Sequence, residues 1–295
     1  MKPLCIYHAN CADGFGAAWV VRAYFGEDNV EFHPGVYGEA PPDVTDRDVI
    51  IVDFSYKGPV IDELVMAANT LLVLDHHKSA QDGLAGLPKA REDWGSHFSY
   101  SGAPGCPHVG VLFDMERSGA GMAWDYFFPN IGRPKLIDHI EDRDLWRFKL
   151  PHTRAISAAL FSYPYDFDVW DELMRSSFFE EETTLARLAK DGEAIERKHH
   201  KDVADLVEAT KRRMVIAGIS VPVANLPYIY SSDAGHLMAE GEPFAACYWD
   251  TPDGRVFSLR SQDDGADVSS VAVQYGGGGH ARAAGFRMPI GWEGE

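Results

Sequence analysis

The sequence predicts an α/β protein, a doubly wound parallel-sheet domain joined by a helical linker to a smaller α+β domain. Three observations carry this expectation. In the first half, short apolar runs alternate with helix-length segments, and three of those runs end on His8, on Asp53 and on Asp75-His76-His77. Residues 181–213 are highly charged with sparse apolar positions (Leu185, Leu188, Ile195, Val203, Leu206), as in a long, mostly exposed helix. Beyond them the chain turns to short strand-like runs punctuated by Gly and Pro. The expected organisation is therefore 1–180, linker 181–213, and 214–295.

Taken in order, LCIYH (residues 4–8) reads as a strand ending in His8, followed by the polar turn Asn10 to Gly14. Ala17, Ala18, Val21 and Phe25 then recur at helical spacing, so Phe15 to Phe25 reads as a helix closed by Gly26. DVIIVD (48–53) is a second strand, and Val60 to Ala68 a helix with Pro59 in its first turn. LLVLDHHKSA (71–80) is a third strand with an unusual stop, because a buried apolar run ends on a carboxylate and two imidazoles. Carboxyl ends of parallel strands are where open α/β sheets form ligand crevices.

Residues 81–117 are Gly-, Pro- and polar-rich with little periodicity, which suits a functional loop. His97, Cys106 and His108 within it are too irregularly spaced for a metal cluster and read as loop residues. Ser118 to Phe128 reads as a capped helix ended by Pro129, and 135–140 continues helically into Glu141-Asp142-Arg143-Asp144-Leu145-Trp146. His199 and His200 on the linker helix are expected to be exposed. In the last segment 214–223, 226–230, 244–249 and 256–259 read as strands, with a turn at Thr251 to Gly254 and a helix capped by Asp267. Four consecutive glycines, Gly276, Gly277, Gly278 and Gly279, answer no evident structural need and would let the backbone approach an anion closely, with His280 and Arg282 immediately after.

The 295 residues are 45% hydrophobic, enough for two modest cores. No run of about 18 apolar residues is present, and Met1-Lys2-Pro3 leads straight into a strand, so a cytoplasmic protein with no membrane partner is expected. The 4 cysteines are scattered without a CxxC pair, which excludes a disulfide framework and a Cys-rich zinc site. A net charge of -18 argues against a track for long nucleic acid but not against a small anionic substrate. A homodimer is left open.

His8, Asp13, Asp53, His76 and one acid of the Asp142/Asp144 pair offer imidazole and oxygen ligands without a required thiolate. Such a set suits Mn²⁺ first, with Mg²⁺ or Co²⁺ as alternatives, rather than structural zinc. It exceeds the needs of one open catalytic ion, whereas two ions sharing a carboxylate would use it in displacement at phosphorus.

HANCADG (8–14), VIIVD (49–53), DHH (75–77), EDRDLW (141–146) and GGGGHARAAGF (276–286) resemble, in order, the motifs of the DHH phosphoesterases that carry a C-terminal DHHA1 domain. The resemblance spans nearly the whole chain and is strongest to the oligoribonuclease (nano-RNase) and cyclic-nucleotide phosphodiesterase branch. It implies that His8 and Asp53 hold one cation, that Asp13, Asp53, His76 and Asp142 hold the other, and that Asp53 bridges them. It further implies that Asp75 orients a neighbouring histidine and that His77 contacts the reacting phosphate. The DHHA1 domain would bind the rest of the substrate through Arg260, Gly277, Gly278, Gly279, His280 and Arg282. Cys11 departs from the many family members with an aspartate there, which leaves open whether it ligates. The implied activity is two-metal hydrolysis of short oligonucleotides or linear dinucleotides to mononucleotides. Rival readings are a cyclic mono- or dinucleotide phosphodiesterase, a nucleotide 3′-phosphatase, a RecJ-like single-strand exonuclease and a non-catalytic nucleotide-binding protein.

Overall fold

A computed structural model describes residues 1–90 and 108–295, so His97 and Cys106 fall outside the described residues. The chain forms two compact units, Met1–Ile195 and Glu196–Glu295.

The first unit is built on five parallel strands: β1 Leu4–His8, β2 Glu31–Gly35, β3 Asp48–Val52, β4 Thr70–Asp75 and β5 Val109–Phe113, in the order β2-β1-β3-β4-β5. Helices α1 Ala12–Phe25, α2 Gly58–Ala67, α3 Lys78–Leu84, α4 Gly119–Phe127, α5 Lys135–Asp144, α6 Thr153–Leu160 and α7 Phe167–Phe179 accompany it. Residue alternation supplies both faces of the sheet. Cys5, Ile50, Val52, Leu72 and Leu74 pack with α1 and α4 on one side, and Leu4, Ile6, Val49, Ile51 and Val73 with α2 on the other. Arg22 on α1 is buried and ion-paired to Asp171 on α7, which also accepts from Trp19 Nε1 at 2.7 Å.

Strand order reverses at β1, because the chain moves outward one way to β2 and the other way through β3 to β4 and β5. That reversal opens a crevice beyond the carboxyl ends of β1 and β3, the switch point where ligands of such sheets bind. The doubly wound expectation holds. Strand β2 was not anticipated, since EFHPG is polar and carries Pro34, yet its place at the sheet edge tolerates a missing donor.

Helix α8, Glu181–Thr210, starts in the first unit and ends in the second. The second unit holds the mixed sheet β10-β11-β9-β8-β7-β6, with β6 Arg212–Ile216, β7 Ile219–Asn225, β8 Ala245–Thr251, β9 Gly254–Arg260, β10 Gly278–Gly279 and β11 Ala283–Met288. Helices α9 Ser231–Met238 and α10 Val268–Gln274 pack on it, and the Asp267 side chain caps α10 by accepting from Ser269 and Ser270 N–H. Two expectations are corrected. The run 214–223 is a hairpin rather than one strand, because Ala217 and Gly218 take φ values of 51° and 72° and turn the chain back. The segment 226–230 enters a 3-10 turn at Tyr228–Tyr230 after Pro227 instead of extending. His199 also differs from its exposed expectation. Its Nε2 lies 2.9 Å from Asp233 Oδ2 and its ring stacks on Tyr230, while His200 is exposed. Among the described residues no helix is long and apolar enough to cross a membrane.

Candidate active site

The crevice beyond β1, β3 and β4 gathers the strand-end residues. Asp53 follows β3 directly and adopts φ +53°, a region that aspartate visits more readily than most residues and that turns the chain sharply out of the sheet. Its carboxylate is buried. Oδ1 lies 2.9 Å from His76 Nε2, and Oδ2 lies 3.4 Å from His8 Nδ1. His76 Nε2 also faces Asp13 Oδ2 at 3.6 Å and Asp144 Oδ2 at 3.7 Å. Two of the ligand groups that meet here are His8, Cys11 and Asp53, and Asp13, His76 and Asp144, with ligand atoms in each within 4.8 Å of one another. The short contact between Asp53 and His76 joins them.

Each group is held by local structure. Asp13, in the first turn of α1, accepts from the N–H groups of Gly119 at 2.6 Å and Ala120 at 2.9 Å, at the start of α4. A helix N-terminus favours negative charge and fixes this carboxylate. Gly119 is required for the approach: a Cβ there would lie 2.3 Å from the Cβ of Asp53. Gly119→Ala is therefore expected to cost about 1–3 kcal/mol through overpacking, read as a lowered melting temperature.

Asp75, fully buried at the end of β4, accepts from the His77 ring Nδ1 at 2.8 Å and from the backbone N–H of His76 at 2.8 Å. These contacts fix the His77 ring and the turn that leaves β4. The Tyr37 ring, which sequence reasoning missed, lies 5.4 Å from the His8 ring and 6.1 Å from that of His77. Nothing local marks Tyr37 in the sequence, because it follows the unanticipated β2.

The geometry does not bring Asp142 into either group; the carboxylate that lies beside His76 is that of Asp144. The buried Asp142 carboxylate accepts from Lys149 N at 2.8 Å, Leu150 N at 3.0 Å and Thr153 Oγ1 at 2.6 Å. Two residues apart on α5, the acids project about 200° apart around the helix. One faces the crevice and the other pins the turn into α6.

Electrostatics follow from crowding three carboxylates. Burial, then the charges of Asp53 and Asp144, push Asp13 well above the ordinary carboxylate range, and burial likewise raises Asp144. Asp53 goes the other way: burial opposes its charge, but hydrogen bonds from His76 and His8 hold it well below the ordinary range. The same carboxylates act on His76. Against the cost of burial, the Asp53 hydrogen bond and the charges of Asp144, Asp53 and Asp13 push its imidazole up to about 10. Burial and the neighbouring acids also raise the Cys11 thiol, whose Sγ lies 3.9 Å from Asp53 Oδ2.

The donor chemistry fits divalent cations. Imidazole and carboxylate ligands converge, their like charges oppose one another, and Asp75 Oδ2 is buried without a hydrogen-bond partner among the described residues.

In the second unit, the glycine run does meet a structural need, contrary to expectation. Gly278 and Gly279 pair with Gly285 and Ala284, and a Cβ at Gly277 would lie 2.0 Å from Gly285 O. Arg282, expected to fork a phosphate, donates to the carbonyls of Gly265 at 2.7 Å, Ala266 at 3.2 Å and Asp263. Arg260 donates to Ser232 Oγ at 2.7 Å and to Leu259 O at 2.8 Å. His280 closes a tight turn, its N–H donating to Ala283 O at 2.7 Å.

No family model matches the chain. Uncharacterized protein R106 of Acanthamoeba polyphaga mimivirus is 30% identical over 302 residues, covering 95% of this chain and 66% of that protein. Oligoribonuclease NrnB of Bacillus subtilis (strain 168) is 23% identical over 309 residues, covering 95% of this chain and 71% of that one. The chain thus spans about two thirds of the length of these curated relatives. Among solved structures, the pGpG-specific phosphodiesterase PggH from Vibrio cholerae has 15% identity and a TM-score of 0.45, covering 98% of this chain and 94% of its own. Five motifs stand in the order the family requires, and the residues of four of them meet in one crevice at the ends of parallel strands. This arrangement agrees with the resemblance of the chain to the DHH/DHHA1 phosphoesterases.

Proposed function

We propose that the protein is a two-metal-dependent phosphodiesterase that hydrolyses short oligonucleotides or linear dinucleotides to mononucleotides. The observation that supports this most is the meeting of two nitrogen-and-oxygen ligand groups at one buried carboxylate, Asp53. His8 and Asp53, with Cys11 beside them, would hold one cation. Asp13, His76 and Asp144 would hold the other, with Asp53 shared. Mn²⁺ suits this mixture of imidazole and carboxylate. When bound, such cations supply positive charge that offsets the charge developing on phosphoryl oxygens.

The chain's own residues carry the rest. Asp75 accepts from Nδ1 of His77, so Nδ1 stays protonated, and the proposed contact to the substrate is made through Nε2. The acids around it raise the His77 imidazole against the cost of burial, which suits a group that donates a proton to a leaving oxygen. Tyr37, though partly open to solvent, keeps its hydroxyl proton, since desolvation by the surrounding protein and then the charges of Asp75 and Asp53 push it well above the ordinary range. In the second unit, Arg260, His280 and the backbone of Gly277 to Gly279 are the proposed contacts to the rest of the substrate. Arg282 supports them by holding the 263–266 loop. The scattered cysteines suit a reducing compartment, and the cytoplasm is the proposed location.

The test is to supply purified protein and Mn²⁺ with a 5′-phosphorylated dinucleotide, a pentanucleotide, a long single strand, a cyclic dinucleotide and a nucleotide 3′-phosphate. Fast release of mononucleotides from the dinucleotide and pentanucleotide is expected. Turnover confined to the long strand or to the cyclic substrate would overturn the reading. Chelation by EDTA is expected to reduce hydrolysis to background, and excess Mn²⁺ to restore it.

A further inference from the structure

Tyr37 borders the crevice but belongs to neither ligand group, and the local backbone puts it there. In the parallel pairing of β1 with β2, Gly35 is the partner of His8, and just past the strand ends Ala9 N donates to Gly35 O at 3.0 Å. The next turn closes with Glu39 N donating to Val36 O at 3.1 Å. Gly38, at its third position, takes φ +92°, as a type II turn requires there. Tyr37 occupies the second position, and its ring lies 5.4 Å from that of His8.

The ring is braced as well as placed. Phe54, buried directly after Asp53, lies 4.6 Å from the Tyr37 ring and 6.0 Å from the His8 ring. Gly35 leaves room for it, since a Cβ there would lie 3.0 Å from Phe54 Cε1. One buried ring therefore supports both Tyr37 and a proposed ligand. The His77 ring lies 6.1 Å away, at an interplanar angle of 74°. Despite these neighbours Tyr37 is 44% exposed, whereas Asp53 and Asp75 are buried. Its hydroxyl is within reach of those acids, because besides desolvation by the surrounding protein the charges of Asp75 and Asp53 hold its proton on. A large aromatic side chain that is braced by a core ring, borders buried charged groups and still meets solvent forms the wall of a cleft.

The chemistry of the occupant follows. A neutral ring offers little to the reacting phosphate, whose charge the cations and His77 would meet. It suits the organic substituent carried by that phosphate, and every nucleobase has a π-face that packs on an aromatic ring.

We propose that Tyr37 is a specificity-determining residue of the crevice, its ring packing against the nucleoside next to the reacting phosphate, so that the site selects nucleotides over sugar phosphates. This rests on the phosphodiesterase reading above and assigns the part of the substrate nearest the phosphorus.

The experiment measures, by titration calorimetry with the full chain and Mn²⁺, binding of adenosine 5′-monophosphate and of ribose 5-phosphate, which lacks the base. No diester is cut in either titration. Tyr37→Ala and Tyr37→Leu are each expected to weaken the mononucleotide about tenfold, the scale of one lost base–aromatic stack, and ribose 5-phosphate by less than about twofold. Tyr37→Phe keeps the ring and is expected to bring mononucleotide affinity back to within about twofold of wild type. On a 5′-phosphorylated diadenylate, Tyr37→Ala is expected to raise KM about tenfold and to hold kcat within about twofold. A merely structural role would weaken both ligands alike and lower Mn²⁺ affinity and Tm with them. Equal loss of the two ligands, no preference of the wild type for the mononucleotide, or a Tyr37→Phe variant as weak as Tyr37→Ala would overturn the assignment. Wild-type protein that cuts no diester, yet loses its preference for the mononucleotide in Tyr37→Ala, would sink the phosphodiesterase reading and leave the role of Tyr37 standing.

Discussion

Asp53→Asn is expected to lower Mn²⁺-dependent kcat/KM on a dinucleotide by about 10³-fold or more, the scale of losing preorganised transition-state electrostatics. Asparagine preserves the shape of the side chain, so the fold should survive. It removes the negative charge, however: one carboxylate oxygen now faces His76 at 2.9 Å and the other His8 at 3.4 Å, and a neutral amide offers one acceptor oxygen and a donor in their place. Both ligand groups therefore lose their shared member. Titration calorimetry with Mn²⁺ separates this outcome from a defect in substrate binding. If the variant keeps wild-type Mn²⁺ affinity and turnover, the shared-ligand assignment is wrong.

The second large effect separates two acids that stand two residues apart. Asp144→Ala is expected to leave thermal stability nearly unchanged and to reduce turnover by at least about a hundredfold, because its carboxylate faces the crevice and, among the described residues, accepts no backbone hydrogen bond. Asp142→Ala is expected to do the reverse first. Two backbone N–H groups and the Thr153 hydroxyl lose their acceptor, which costs about 3 kcal/mol and lowers Tm by roughly 6–12 °C for a unit of this size. Melting curves paired with kinetics on both variants decide it; equal melting temperatures with activity lost only in Asp142→Ala would reverse the assignment.

The contrast also shows what the sequence could and could not disclose. Asp53, Asp75, His76 and His77 were legible because polar groups that stop an apolar strand have one structural place to go, the carboxyl end of the sheet. His8 was legible for the same reason. Choosing between Asp142 and Asp144 was not, since both lie on one amphipathic helix beside apolar residues, and only the position of the turn after the helix decides which faces inward. The glycine run misled for a related cause. Its composition suits either close approach to an anion or close approach to another strand, and Gly277 against Gly285 makes the second a fact. The long helix and the strands on either side of Thr251 to Gly254 followed from charge pattern and turn chemistry, whereas Ala217-Gly218 broke a run that hydrophobicity alone presented as continuous.

Asp13 takes its two hydrogen bonds from residues 106 and 107 positions further along the chain. This has a consequence for how the protein comes into being. A nascent chain that has exposed only the first four strands already presents His8, Asp53 and the histidine pair, yet Asp13 has no helix start to rest on and Asp144 has not been made. Contacts of such sequence separation form late, after the entropy of closing the intervening loop has been overcome. The proposed ligand set is thus completed only when the first unit is nearly whole, so on the proposed function a half-made chain is poorly equipped to capture a cation or to cut a phosphodiester in the company of ribosomal RNA.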